Sequence, residues 1–135
     1  MSWLDVVDNG RGVLAVFGGD TPPLRSLVVH GVQVHRNGPT VTLVFDLPDY
    51  PSSPPAKWAA QGFTTVQLTL SCFGAEDIRL SGWGTDVTGD LTLERVGDRV
   101  AVTLESPVTT LTLTALVVDV QNISAYQDSP ADPAW

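Results

Sequence analysis

Alternation of apolar and hydroxyl side chains is the feature that most limits how this chain can fold. Val41, Leu43, Phe45 and Leu47; Val66, Leu68, Leu70 and Cys72; Leu91 and Leu93; Val100, Val102 and Leu104; and Leu111 and Leu113 each recur at every second position. Thr40, Thr42, Thr65, Gln67, Thr69, Thr92, Thr103, Thr110, Thr112 and Thr114 stand between them. A period of two sends successive side chains to opposite faces, so each segment has one oily and one wettable face, the pattern of half-buried antiparallel strands. The expectation is a mainly β fold of antiparallel sheets, either a sandwich or one strongly curved sheet, with a short N-terminal helix.

Turn chemistry divides the pattern into strands. Leu24 to Arg36 and Thr40 to Leu47 read as a hairpin joined at Asn37-Gly38, in a register that places Val34 opposite Val41, Val32 opposite Leu43 and His30 opposite Phe45. Pro39 has no N–H to close a two-residue turn, so a longer or looser loop is the alternative. Further strands are expected from Phe63 to Phe73, Asp77 to Gly82, Asp90 to Val96, Arg99 to Glu105 and Thr109 to Val120. Gly97-Asp98 suits a type II′ turn that sets Leu93 against Val102 and Leu91 against Leu104. In the last strand the apolar parity changes after Ala115, which calls for a bulge there or a stretch buried on both faces. Ser2 is placed to cap a first helical turn, with Asp5 completing a capping box, and Gly12 to Phe17 and Ala56 to Gln61 read as further short turns of helix. Pro48, Pro51, Pro54 and Pro55 force a rigid extended loop between them.

The chain of 135 residues fits one domain, expected over residues 1–135 with a flexible tail at 127–135, whose terminal Trp135 is the one residue able to dock back onto the domain. Its 15 acidic and 7 basic residues give a net charge of −8. Such a chain repels phosphate backbones and anionic membrane, so neither nucleic acid nor membrane is an expected partner. The N-terminus has acidic residues where a signal peptide needs basic ones, and no apolar run reaches the ~20 residues of a membrane span; a cytoplasmic location is expected. The single cysteine, Cys72, lies in an apolar register and reads as a small buried hydrophobe.

Candidate chemistry is sparse, and no catalytic, cofactor-binding or metal-binding residues are assigned. His30 and His35 differ by an odd number, so on a regular strand they point apart and cannot share a metal. Asp46 and Asp49 end a strand, where a hydrogen-bonding carboxylate is commoner than an acid–base pair. No nucleophile elbow or phosphate-cradling loop is present. An enzyme or ligand carrier would require a deep polar cavity joining His30 to a carboxylate. Asp49, Tyr50, Trp58, Trp83 and Asp86 instead combine rings with carboxylates, a composition suited to contact with a basic protein. The structural alternative is that Trp58 and Trp83 plug the ends of the sheet core.

The order Ser2-Trp3-Leu4, Pro22-Pro23-Leu24, Phe45-Asp46-Leu47-Pro48, Pro55-Ala56-Lys57-Trp58 and Gly82-Trp83-Gly84 resembles the Immunity protein 50 family, over roughly Trp3 to Tyr126. That resemblance implies a non-enzymatic bacterial protein of a polymorphic toxin system, one that binds a cognate toxin domain and covers its active surface. The alternative class is a β-sandwich interaction module, including a homodimer joined through exposed strand edges.

Overall fold

The computed structural model describes residues 2–127, so the expectations for the tail and for Trp135 lie outside the described residues. Its strands are β1 (Leu27–His35), β2 (Thr40–Asp46), β3 (Thr65–Phe73), β4 (Glu76–Ser81), β5 (Thr88–Val96), β6 (Arg99–Glu105), β7 (Thr110–Ala115) and β8 (Val117–Tyr126). They form one open sheet in the order β4-β7-β6-β5-β1-β2-β3-β8, and every pairing is antiparallel. The expected curved antiparallel sheet is what forms. β1 and β5 share only the pairs Leu27↔Gly89 and Val28↔Thr88, a narrow join. On either side of it the two halves turn their oily faces onto one hydrophobic cluster, in which Phe45, Leu68 and Leu70 meet Val102, Leu104 and Leu111.

The hairpin registers follow the hydrophobic pattern. Val34 pairs with Val41 and Val32 with Leu43, while Leu93 pairs with Val102 and Leu91 with Leu104. Around Pro39 the first turn takes its longer form, four residues between His35 and Thr40, without a change of register. A slip of one residue would turn Val41, Leu43 and Phe45 out to water, and burying them outweighs ideal turn geometry.

Two local expectations are corrected. His30 does not face Phe45: a β-bulge between Val29 and Gly31 gives Phe45 to Val29 and pushes His30 onto the outer face with Asp46. The bulge keeps a polar ring out of the core and lets Val29 fill the place. The chain from Thr109 to Val120 is not one strand either. It breaks at Leu116, where β7, paired with β4 and β6, gives way to β8, paired with β3. One unpaired residue reverses the parity, so Leu111, Leu113 and Ala115 face inward from one half and Val118 and Val120 from the other. Arg99 ties this corner, donating from Nη2 to the carbonyls of Gly74 (2.6 Å) and Thr114 (3.2 Å).

The helical pieces cover the ends of the fold. Ser2 and Asp5 form the capping box of a 3-10 turn, Trp3–Val6, and α1 (Arg11–Val16) buries Val13 in the core. α2 (Ala56–Gln61) follows the proline loop and ends at Gly62. The edges are blunted against pairing with another sheet. Asp8 bridges to β8 beside Asp119, and a bulge with Asp77 at φ 54° interrupts β4. No helix of the described residues is long and apolar enough to cross a membrane.

Candidate functional site

Antiparallel pairing brings the segments after β2 and β4 and before β5 to the same end of the sheet, because Val28 at the start of β1 pairs with both Asp46 and Thr88. All five candidate contact residues therefore lie in loops or helices at one end. Asp49 and Tyr50 line a cleft of about 390 Å³ with Phe17, Asp20, Pro22 and Pro48. Tyr50 meets Trp58 across the proline loop with ring centroids 6.4 Å apart at 42°, and both rings pack against the core. Trp58 thus has the structural role that was its alternative reading, with part of the ring still open. Trp83 is different: it is 50% exposed between Gly82 and Gly84, and Asp86 beyond it is exposed too.

The loop carrying Trp83 is held by close backbone packing. Gly82 has φ 76°, and a Cβ there would lie 1.9 Å from the carbonyl oxygen of Val108. Only glycine lets the two backbone segments approach so closely, and Trp83 beside it is half exposed. At the other side of this end, the Trp3 indole N–H donates to the Pro22 carbonyl at 2.7 Å, joining two of the sequence motifs in a structural clasp.

The side-chain cluster with the most order was missed from the sequence. Asp46, 5% exposed, accepts from His30 Nε2 at 2.7 Å, from Gln67 Nε2 at 3.3 Å and from the Tyr126 hydroxyl. The bulge is what brings His30 to this carboxylate, and its one local signal is Gly31, an isolated glycine inside the strand pattern. Asp46 itself behaves as the hydrogen-bonding strand-end carboxylate that was expected. The pair sits on the solvent face of the sheet, with the His30 side chain 44% exposed, and not in a deep cavity. His30 and His35 now share that face, yet five residues of strand separate them by about 13–16 Å, too far to share one ion. No metal-binding group of histidine, cysteine and carboxylate side chains occurs among the described residues. Burial pushes the Cys72 thiol up to about 12, so it is chemically quiet at neutral pH.

The family model of Immunity protein 50 matches residues 10–126, most of the chain and all eight of the described strands. No curated protein and no solved structure matches it. With the match spanning the sheet from α1 to the end of β8, the chain belongs to the Immunity protein 50 family.

Proposed function

We propose that this chain is a cytoplasmic, non-enzymatic immunity protein that binds a cognate bacterial toxin domain and neutralises it by covering its active surface. The observation that carries the reading is the family match over residues 10–126. The physical features agree with it. Immunity by occlusion needs a rigid scaffold and a distinctive surface, and a folded sheet with one continuous core is such a scaffold. A net charge of −8 favours rapid association with a basic partner, such as a toxin whose cleft handles phosphate. Asp49, Tyr50, Trp58, Trp83 and Asp86 are the proposed contact residues. The blunted edges weigh against the alternative of a homodimer joined edge to edge.

Binding kinetics test this. The partner to use is a candidate toxin: the C-terminal domain of a large secreted protein encoded in the neighbouring reading frame. A tight complex should form, and Asp49→Lys and Asp86→Lys should each slow association by about 3- to 10-fold at low salt, with less effect at high salt. Tight binding with an unchanged association rate in both variants would show that these loops are not the contact surface.

A further inference from the structure

The dipeptide Asn-Gly occurs at Asn9-Gly10 and again at Asn37-Gly38, and the fold treats the two copies in opposite ways. Asn9-Gly10 is held. Asp8 before it bridges to β8, its N–H donating to the Val118 carbonyl at 2.8 Å and its carbonyl accepting from the Val120 N–H at 3.0 Å. The Asn9 side-chain amide donates to the Asp119 carboxylate, and a Cβ on Gly10 would stand 2.9 Å from the Leu4 side chain. The Gly10 carbonyl accepts from the Leu14 N–H at 3.2 Å, in the first turn of α1. Asn37-Gly38 lies instead at the exposed tip of the β1–β2 hairpin. Among the described residues the Asn37 side-chain amide has no hydrogen-bond partner, and the Gly38 N–H forms no backbone bond.

The contrast is chemical as well as structural, because the side-chain amide of asparagine is an electrophile within reach of the next backbone nitrogen. Glycine has no side chain to shield that nitrogen, and its backbone freedom lets it approach the Asn Cγ. Attack proceeds through loss of the Gly38 N–H proton. The charge left behind is shared with the main-chain carbonyl oxygen of Asn37, through the resonance that makes the peptide planar. Thr40 Oγ1 donates to that same oxygen at 3.0 Å. A donor already aimed at the atom where charge develops stabilises it without further rearrangement.

We propose that Asn37 is a site of spontaneous covalent modification, deamidating through a succinimide with Thr40 as a positioning residue. The Gly38 nitrogen attacks the Asn37 Cγ: the N–Cγ bond forms, the Cγ–Nδ2 bond breaks, and the amino group leaves as ammonia with the proton given up by Gly38. Water, the only co-reactant, then opens the ring. Hydrolysis at Cγ restores the ordinary backbone with an aspartate side chain, and hydrolysis at the main-chain carbonyl gives isoaspartate, in which the backbone runs through the side chain. Either product makes the chain one charge more negative than −8. The site is remote from the proposed contact loops, since β2 runs about 20 Å from Thr40 beside this turn to Asp46, which leads into Asp49. The inference therefore stands apart from the reading of the chain as an immunity protein.

The test incubates folded wild-type protein in heavy-oxygen water at neutral to mildly alkaline pH. Digestion follows in ordinary water, so that heavy oxygen at position 9 or 37 marks modification of the intact protein. Trypsin cuts after Arg11, Arg36 and Lys57, which places Asn9 and Asn37 in separate peptides for mass spectrometry. Asn37 should be converted about 10-fold or more faster than Asn9, and in urea, where the fold no longer restrains either, the ratio should shrink to less than about 3-fold. Thr40→Val should slow conversion at Asn37 by about 3- to 10-fold, the worth of one hydrogen bond, and Thr40→Ser, which keeps the hydroxyl, should restore most of the rate. Asn37 left intact in the folded protein while the urea sample converts, or Asn9 keeping pace with it in the folded protein, would overturn the site. An unchanged rate in Thr40→Val, with the fold retained by circular dichroism, would overturn the role of Thr40.

Discussion

Replacing Gly82 with alanine should destabilise the protein well beyond the usual cost of a Cβ in left-handed backbone, and a second glycine provides the comparison. Gly97, in the β5–β6 hairpin, has φ 63° with nothing within 4 Å of where a Cβ would stand, so Gly97→Ala meets only the conformational penalty, about 1–2 kcal/mol. Gly82, at φ 76°, carries the same penalty, but its Cβ would also lie 1.9 Å from the Val108 carbonyl oxygen and 3.1 Å from the carbonyl carbon. That neighbour is backbone, and it belongs to the turn in which the Ser106 Oγ accepts from the Thr109 N–H at 2.8 Å. The strain of forcing them apart adds about 1–3 kcal/mol. The total for Gly82→Ala is then about 2–5 kcal/mol. For a domain of this length each kcal/mol lowers the melting temperature by about 4 °C, giving a fall of ~4–8 °C for Gly97→Ala and ~8–20 °C for Gly82→Ala. Scanning calorimetry on both variants reads the difference. Equal losses would refute the idea that close backbone approach holds the loop carrying Trp83 and Asp86.

Two further outcomes are expected. Burial raises the Cys72 pKa from 9.0 to about 12, so folding favours the neutral thiol: its contribution is complete below pH 9 and is lost as pH rises toward 12. Wild type should therefore lose more stability than Cys72→Ala between about pH 9 and 11, and native Cys72 should resist iodoacetamide at about pH 8 until guanidinium unfolds the chain; rapid native alkylation would show the thiol is open. Trp3→Phe removes the donor to the Pro22 carbonyl and should cost about 1–2 kcal/mol in urea unfolding, and an unchanged midpoint would mean that the clasp contributes nothing.

Legibility in the sequence followed the range of each signal. Alternation over Thr40–Asp46 and Thr65–Phe73 repeats often enough to fix which side chains enter the core, and Gly97-Asp98 fixes a register through a short turn. The features that escaped depend on a single residue. One extra residue at His30 changes the face of a histidine, and one unpaired residue at Leu116 moves the chain between halves of the sheet; a local pattern contains the parity change but not the strand that will pair beyond it. The site divides the same way. Tyr50, inside the proline loop, and Trp58, just beyond it, were visible as aromatic candidates, and the structure brings their rings together. The cluster of His30, Asp46, Gln67 and Tyr126 draws on four strands, with Asp46 and Tyr126 80 positions apart in the chain, and only the completed sheet assembles it.

Co-expression with a candidate toxin domain encoded beside this chain tests the proposed immunity role most directly. Growth should be restored to cells making both proteins, with the two recovered as a stoichiometric complex in which the toxin is inactive. Cells that die while both chains are soluble, and while this one is folded by circular dichroism, would contradict a role in immunity.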